Sequence, residues 1–169
     1  MTTYIALLRA VNVGGTGKLP MRELITLCEA AGFARVRTFI ASGNVVFESR
    51  ASERSVKQAL ERELAQYAGK PVAVLIRTAA EMLGILKANP FPRAAPNQTV
   101  AIFLDEPPPD NALDEIAGRT IEKVRLGKRE IYVHYGAGMG SSKLRIPAAK
   151  SGTARNMNTV AKLAAMAAG

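Results

Sequence analysis

The chain has 169 residues, 48% hydrophobic and 22% charged, with a formal charge of +9 at pH 7. That composition excludes a disordered chain, and the length supports one domain or two small ones without disulfides or a structural metal. A single cysteine, Cys28, and a single histidine, His134, exclude an intramolecular disulfide and a Cys/His zinc site, so neither metal nor cofactor is expected.

The N-terminus, Met1-Thr2-Thr3-Tyr4, lacks the basic start of a signal peptide, and no stretch approaches the roughly 20 apolar residues of a membrane span. The expectation is a cytoplasmic protein without membrane association. Residues 4–9 are an apolar run of strand formers, broken by Gly14-Gly15-Thr16-Gly17. Pro20 then suits the first turn of a helix whose stripe is Met21, Leu24, Ile25 and Cys28, with Gly32 placed to end it. Residues 36–40 and 44–47 read as two strands joined through Ser42-Gly43. Ser52 caps a second helix with the stripe Val56, Leu60, Leu64 and Tyr67, ending near Gly69, and residues 72–76 form a fourth strand. The order β-α-β-β-α-β is that of a ferredoxin-like plait.

The second half echoes the first imperfectly. Thr78 and Glu81 form a capping-box pair opening a helix that stops before Asn89-Pro90. A strand at 100–104 leads through Pro107-Pro108-Pro109 to a short helix near 112–117. Strands at 121–126 and 129–135 then turn at Gly127-Lys128. A helix is expected from Ser141, interrupted by Pro147, and a last one over 156–168. The fold expected is α+β, two linked ferredoxin-like (α-β plait) halves: residues 1–77, and residues 78–169 with C-terminal helices. Runs such as 72–76 and 100–104 are apolar at consecutive positions, so both faces of those strands want burial, by the other half or by another chain. That counts against an open, aromatic RNA-recognition face.

Several blocks carry a family resemblance: residues 4–15, Pro20-Met21, and Ser42-Gly43-Asn44-Val45-Val46-Phe47, then residues 88–92, 134–144 and 153–160. Together they resemble, in the right order, the bacterial domain-of-unknown-function family 1697. The resemblance implies a fold of two ferredoxin-like plait subdomains and brings no activity, ligand or catalytic residue. The family's last block often carries a tryptophan where this chain has Met157.

Charge is uneven. Residues 1–50 carry six basic and three acidic side chains, residues 51–118 seven and nine, and residues 119–169 ten and two, with none acidic beyond Glu130. A basic third of this kind favours nucleotides, nucleic acid or another anionic partner, though it reads equally as a solvated basic face. Two glycine-rich loops between strand and helix are suited to an anion, because converging amides and a lysine can hold a phosphate. The first carries Asn12, Gly14, Gly15 and Lys18. The second carries Gly138, Gly140, Ser141, Ser142 and Lys143, with charge added by Lys128, Arg129 and Arg155 and hydrogen-bonding groups by Asn156. Each reads equally as a turn whose glycines permit unusual backbone angles, with a serine as N-cap. The polar run from Arg155 to Thr159 suits helix capping.

His134 is the one conventional base near neutral pH, and a pairing with Ser141 or Ser142 is the enzymatic alternative, acting on a small anionic substrate. A structural histidine is the simpler account. Cys28 sits on its helix's apolar stripe as inert core. Asp105-Glu106 and Asp114-Glu115 read as solvated faces. The third alternative is a protein-interaction or self-association module, a homo-oligomer using apolar sheet faces.

Overall fold

Apolar runs separated by glycine and proline become eight strands and four α-helices among the described residues. The computed structural model describes residues 1–9, 19–39 and 43–169. Asn12, Gly14, Gly15 and Lys18, and with them the first glycine loop, lie outside these residues, as does Ser42 of the expected hairpin. The architecture is mixed α+β, with two four-stranded antiparallel sheets. The chain divides into two units, Met1–Leu83 with Leu163–Gly169, and Gly84–Lys162.

The first unit runs β1 (Thr2–Leu8), α1 (Met21–Ala30), β2 (Ala34–Phe39), β3 (Asn44–Ser49), α2 (Glu53–Ala68), β4 (Val74–Thr78), then the start of α3 (Ala79–Lys87). Its strands lie in the order β2-β3-β1-β4, each antiparallel to its neighbours. Alternate residues of the sheet, Tyr4, Ala6, Leu8, Val45, Phe47, Val74 and Ile76, meet the helix stripes Leu24 and Cys28 of α1 and Val56, Leu60 and Leu64 of α2 in one core. Full burial of an aliphatic side chain such as Leu60 stabilises by about 1.5–3 kcal/mol. Phe33 stacks on Phe47 with ring centroids 4.1 Å apart. The opposite face is closed as well, since Ile5, Leu7, Val46, Leu75 and Arg77 are buried too.

Local signals end these elements as their chemistry dictates. Ser52 Oγ accepts from the Ser55 amide at the start of α2, and Gly69 ends that helix at φ 72°. Glu61 on α2 accepts from the Val74 amide at 3.0 Å and from Lys57 at 2.9 Å, which ties the helix to the start of β4. Thr78 and Glu81 exchange hydrogen bonds at 2.9 and 3.1 Å, a capping box opening α3. Outer strand β2 is irregular: its register shifts between Ala34 and Arg37, and Arg35 takes φ 50° while pairing with Glu48 at 2.9 Å.

The second unit holds β5 (Thr99–Phe103), β6 (Lys123–Leu126), β7 (Glu130–His134), β8 (Thr153–Asn156) and the first residues of α4 (Met157–Ala168). Its sheet runs β6-β7-β5-β8. One face contributes Val100, Ile102, Leu104, Val124, Ile131 and Val133 to a core backed by Ile116, Tyr135, Leu144 and Ile146. The strand from 100 to 104 is buried at every position, as its unbroken apolar run requires.

Three expectations for this unit need correction. The helix near residue 112 is a single 3-10 turn, Ala112–Glu115. No α-helix starts at Ser141. That serine ends a 3-10 segment, Gly136–Ser141, and the chain then runs irregularly to a short 3-10 turn at Pro147–Ala149. Three glycines in five residues make the α conformation costly there, and Pro147 blocks its continuation. β8 was not expected as a strand, because its sequence Thr-Ala-Arg-Asn carries no apolar run. Among the described residues, no helix is long and apolar enough to cross a membrane.

Candidate functional site

The irregular segments after β5 and β7 meet in a cleft of about 550 Å³ lined by Gly118, Arg119, Thr120, Ile121, Glu122, Gly138, Ser141, Ser142 and Lys143. Two main-chain hydrogen bonds fix the approach, Ala117 N to Arg145 O at 3.0 Å and Arg145 N to Ala117 O at 2.8 Å. Gly118, at φ 71°, lets the strands close, since its backbone passes directly against Lys143.

Glu122 organises this cleft. It is buried, yet it stays ionised because three donors surround it. Ser142 Oγ donates to its Oε2 at 2.5 Å, the Thr120 amide to Oε1 at 2.6 Å, and the Thr120 hydroxyl to Oε1 at 3.3 Å. The Ser142 hydrogen bond, then that of the Thr120 amide, holds its carboxyl down at about 2. Burial, and next the charge of Glu122, pushes the Tyr135 phenol up. Ser142 also accepts from the Leu144 amide at 3.2 Å, so its hydroxyl is taken on both sides.

The cations stand apart from this network. Arg119 Nε donates to the Glu122 carbonyl at 2.8 Å, which aims the guanidinium while its terminal nitrogens meet no partner among the described residues. Lys143 is exposed, and its ammonium likewise meets none among them. Ser141 is exposed, with its hydroxyl at 3.4 Å from the Gly138 carbonyl. What the arrangement offers chemically is two cations and several hydroxyls lining one cleft with an ionised, hydrogen-bonded carboxylate.

Of the residues singled out in sequence, Gly138, Ser141, Ser142 and Lys143 line the cleft together; Gly140 belongs to the same 3-10 segment but not to the lining. Arg155 is elsewhere. It pairs in register with Ala101, which in turn faces Tyr132, so it projects from the sheet face opposite the core that backs the cleft. There it is buried, donates to Thr153 Oγ1 at 2.7 Å and to the Ala154 carbonyl at 2.9 Å, and burial lowers its pKa to about 10. Asn156 Oδ1 accepts from the Thr159 amide at 2.9 Å, the N-cap of α4. Arg129 reaches the Asp105 carbonyl at 3.2 Å in the hairpin, and with Lys128 it is not among the lining residues.

His134 is not among the lining residues either. Its Nδ1 lies 3.0 Å from Thr99 Oγ1, and because that hydroxyl donates to the Ala95 carbonyl at 3.1 Å, it accepts the ring proton. Its ring sits 6.0 Å from that of Phe91. Cys28 is buried in the first core. Among the described residues, no group of three or more His, Cys, Asp or Glu side chains could hold a metal ion. Sequence reasoning missed Arg119 and Glu122. The signal available was their position in the basic third, and nothing local linked Glu122 to a serine twenty residues on.

The family described as a protein of unknown function, DUF1697, matches residues 1–132. The chain belongs to this family. The DUF1697 match takes in Gly118 to Glu122, one wall of the cleft, and ends before Gly138 to Lys143, the other. The chain is also similar to the solved structure of the conserved bacterial protein SP0830 from Streptococcus pneumoniae. That likeness has 23% identity, 98% of each chain covered and a TM-score of 0.81. At that identity it is the fold that is shared. No curated protein matches the chain.

Proposed function

We propose that this chain binds a phosphate-bearing or other anionic ligand, a nucleotide or nucleic acid, in the cleft of its second unit. One observation carries the reading: Arg119 and Lys143 come from separate segments to line the same cleft, and neither the terminal guanidinium nitrogens of Arg119 nor the Lys143 ammonium meets a partner among the described residues. Two exposed cations lining one cleft, beside hydroxyls, suit an oxyanion whose several acceptors each take a donor. Glu122 stays ionised and offsets one of the two positive charges, while Ser142 and Thr120 occupy its oxygens, so the cleft keeps an excess of positive charge.

Isothermal titration of pyrophosphate into the wild type and into the Arg119→Ala/Lys143→Ala variant tests it. The wild type binds and the double variant loses at least about tenfold in affinity, the scale of one or two charge-assisted hydrogen bonds. Equal affinity in both proteins overturns the reading.

The ferredoxin-like plait is our reading of the architecture. It is supported by the order β1-α1-β2-β3-α2-β4 and the sheet order β2-β3-β1-β4. The second sheet repeats the order as β6-β7-β5-β8, with a 3-10 turn between β5 and β6 in place of a helix. A cytoplasmic setting is the compartment we propose, in keeping with a single buried thiol, Cys28.

A further inference from the structure

One side chain of the cleft is neither polar nor charged. Ile121 is 64% exposed, an aliphatic group held out in water between Thr120 and the buried Glu122. Beside it, glycines leave the main chain bare. A Cβ on Gly136 would stand 3.4 Å from Ile121 Cδ1, and one on Gly138 3.7 Å from it. The Ile121 methyl therefore lies over main chain that carries no side chain, and this exposed aliphatic group with the bare backbone beside it makes a small shelf. Any larger residue at Gly138 would occupy it. Arg119 precedes this shelf by two residues in the chain, and Lys143 lines the same cleft.

A bare anion makes no use of such a shelf. A flat unsaturated ring joined to a phosphate does, because ring faces pack well on aliphatic groups and peptide planes. The cleft volume of about 550 Å³ falls within the roughly 300–1,000 Å³ common for small-molecule sites. Its cations number two, Arg119 and Lys143, whereas a polymer is held by a longer file of cations along its backbone. We propose that the cleft takes a nucleotide monomer, its phosphate against Arg119 and Lys143 and its base on the shelf of Ile121 and Gly138. This rests on the anion reading above and narrows it.

The test uses the full chain with AMP, ribose 5-phosphate, pyrophosphate and a short oligothymidylate as calorimetric probes, with Ile121→Ser as the variant. AMP binds about tenfold more tightly than ribose 5-phosphate, the return on one shielded aliphatic face. Ile121→Ser removes that advantage and leaves the affinity for ribose 5-phosphate and pyrophosphate unchanged. If AMP and ribose 5-phosphate bind alike, the inference is overturned and the anion reading stands. If the oligothymidylate binds more tightly than AMP, with affinity falling steeply as salt rises, the monomer is overturned in favour of a polymer. If none of the four probes binds, both readings fall together.

Discussion

A methyl group added to Gly118 would stand 2.1 Å from the carbonyl oxygen of Lys143, and 2.9 Å from its carbonyl carbon. The two walls of the cleft thus meet main chain against main chain, with no side chain able to give way. The residue also sits at φ 71°, where a side chain adds strain. Gly118→Ala should therefore cost about 2–4 kcal/mol, from strain and displaced backbone together. Urea denaturation measures it, and a midpoint within error of the wild type would show that the approach is not tight. Gly140→Ala, with no atom within reach of its Cβ, is the matched control.

Glu122 gives a pH dependence with a definite sign. Its carboxyl is held at about 2 in the folded chain against an ordinary value of 4.5. A group lowered on folding favours the native state fully above its unfolded value, and that contribution is lost as pH falls from there through the folded value. Wild type should exceed Glu122→Gln in stability at neutral pH, with the gap closing between pH 4.5 and 2. Denaturation of both proteins across that interval checks it. A gap that stays constant into acid would show that the Ser142 contact does not depend on the charge.

Asn156 separates capping from ligand binding. Its side chain accepts the Thr159 amide and so satisfies one of the open donors at the start of α4. Asn156→Ala should cost about 1 kcal/mol of stability and leave pyrophosphate affinity unchanged. A loss of affinity without a loss of stability would return this residue to the binding site.

Cys28 should behave as part of the core. Burial, and then the charge of Glu29, pushes its thiol up to about 12, so almost no thiolate exists at neutral pH. Reaction with an aromatic disulfide reagent should be slow in the native chain and immediate in denaturant. A fast native reaction would show local opening of α1.

The first unit was legible because each of its decisions is local. Ser52 lies three residues from the amide it caps, Thr78 and Glu81 are likewise three apart, and the α1 and α2 stripes repeat at helical spacing. The second unit was less legible because its shape depends on distant pairings. Ala117 bridges to Arg145, and Glu122 accepts from Ser142. No window of ten residues contains either pair. β8 was hidden for a related reason: Thr153, Ala154, Arg155 and Asn156 form a strand through pairing with β5, while their side chains advertise capping. Of the glycine segment, Gly138, Ser141, Ser142 and Lys143 line one cleft. The helix expected there was an error of propensity, since glycines disfavour the α conformation.

The shifted register in β2 has a bearing on how the molecule behaves in a crowd. An outer strand that is kinked at Arg35, with a charged pair across it to Glu48, is a poor template for a straight partner from another copy. Strand addition from another copy is disfavoured at that rim.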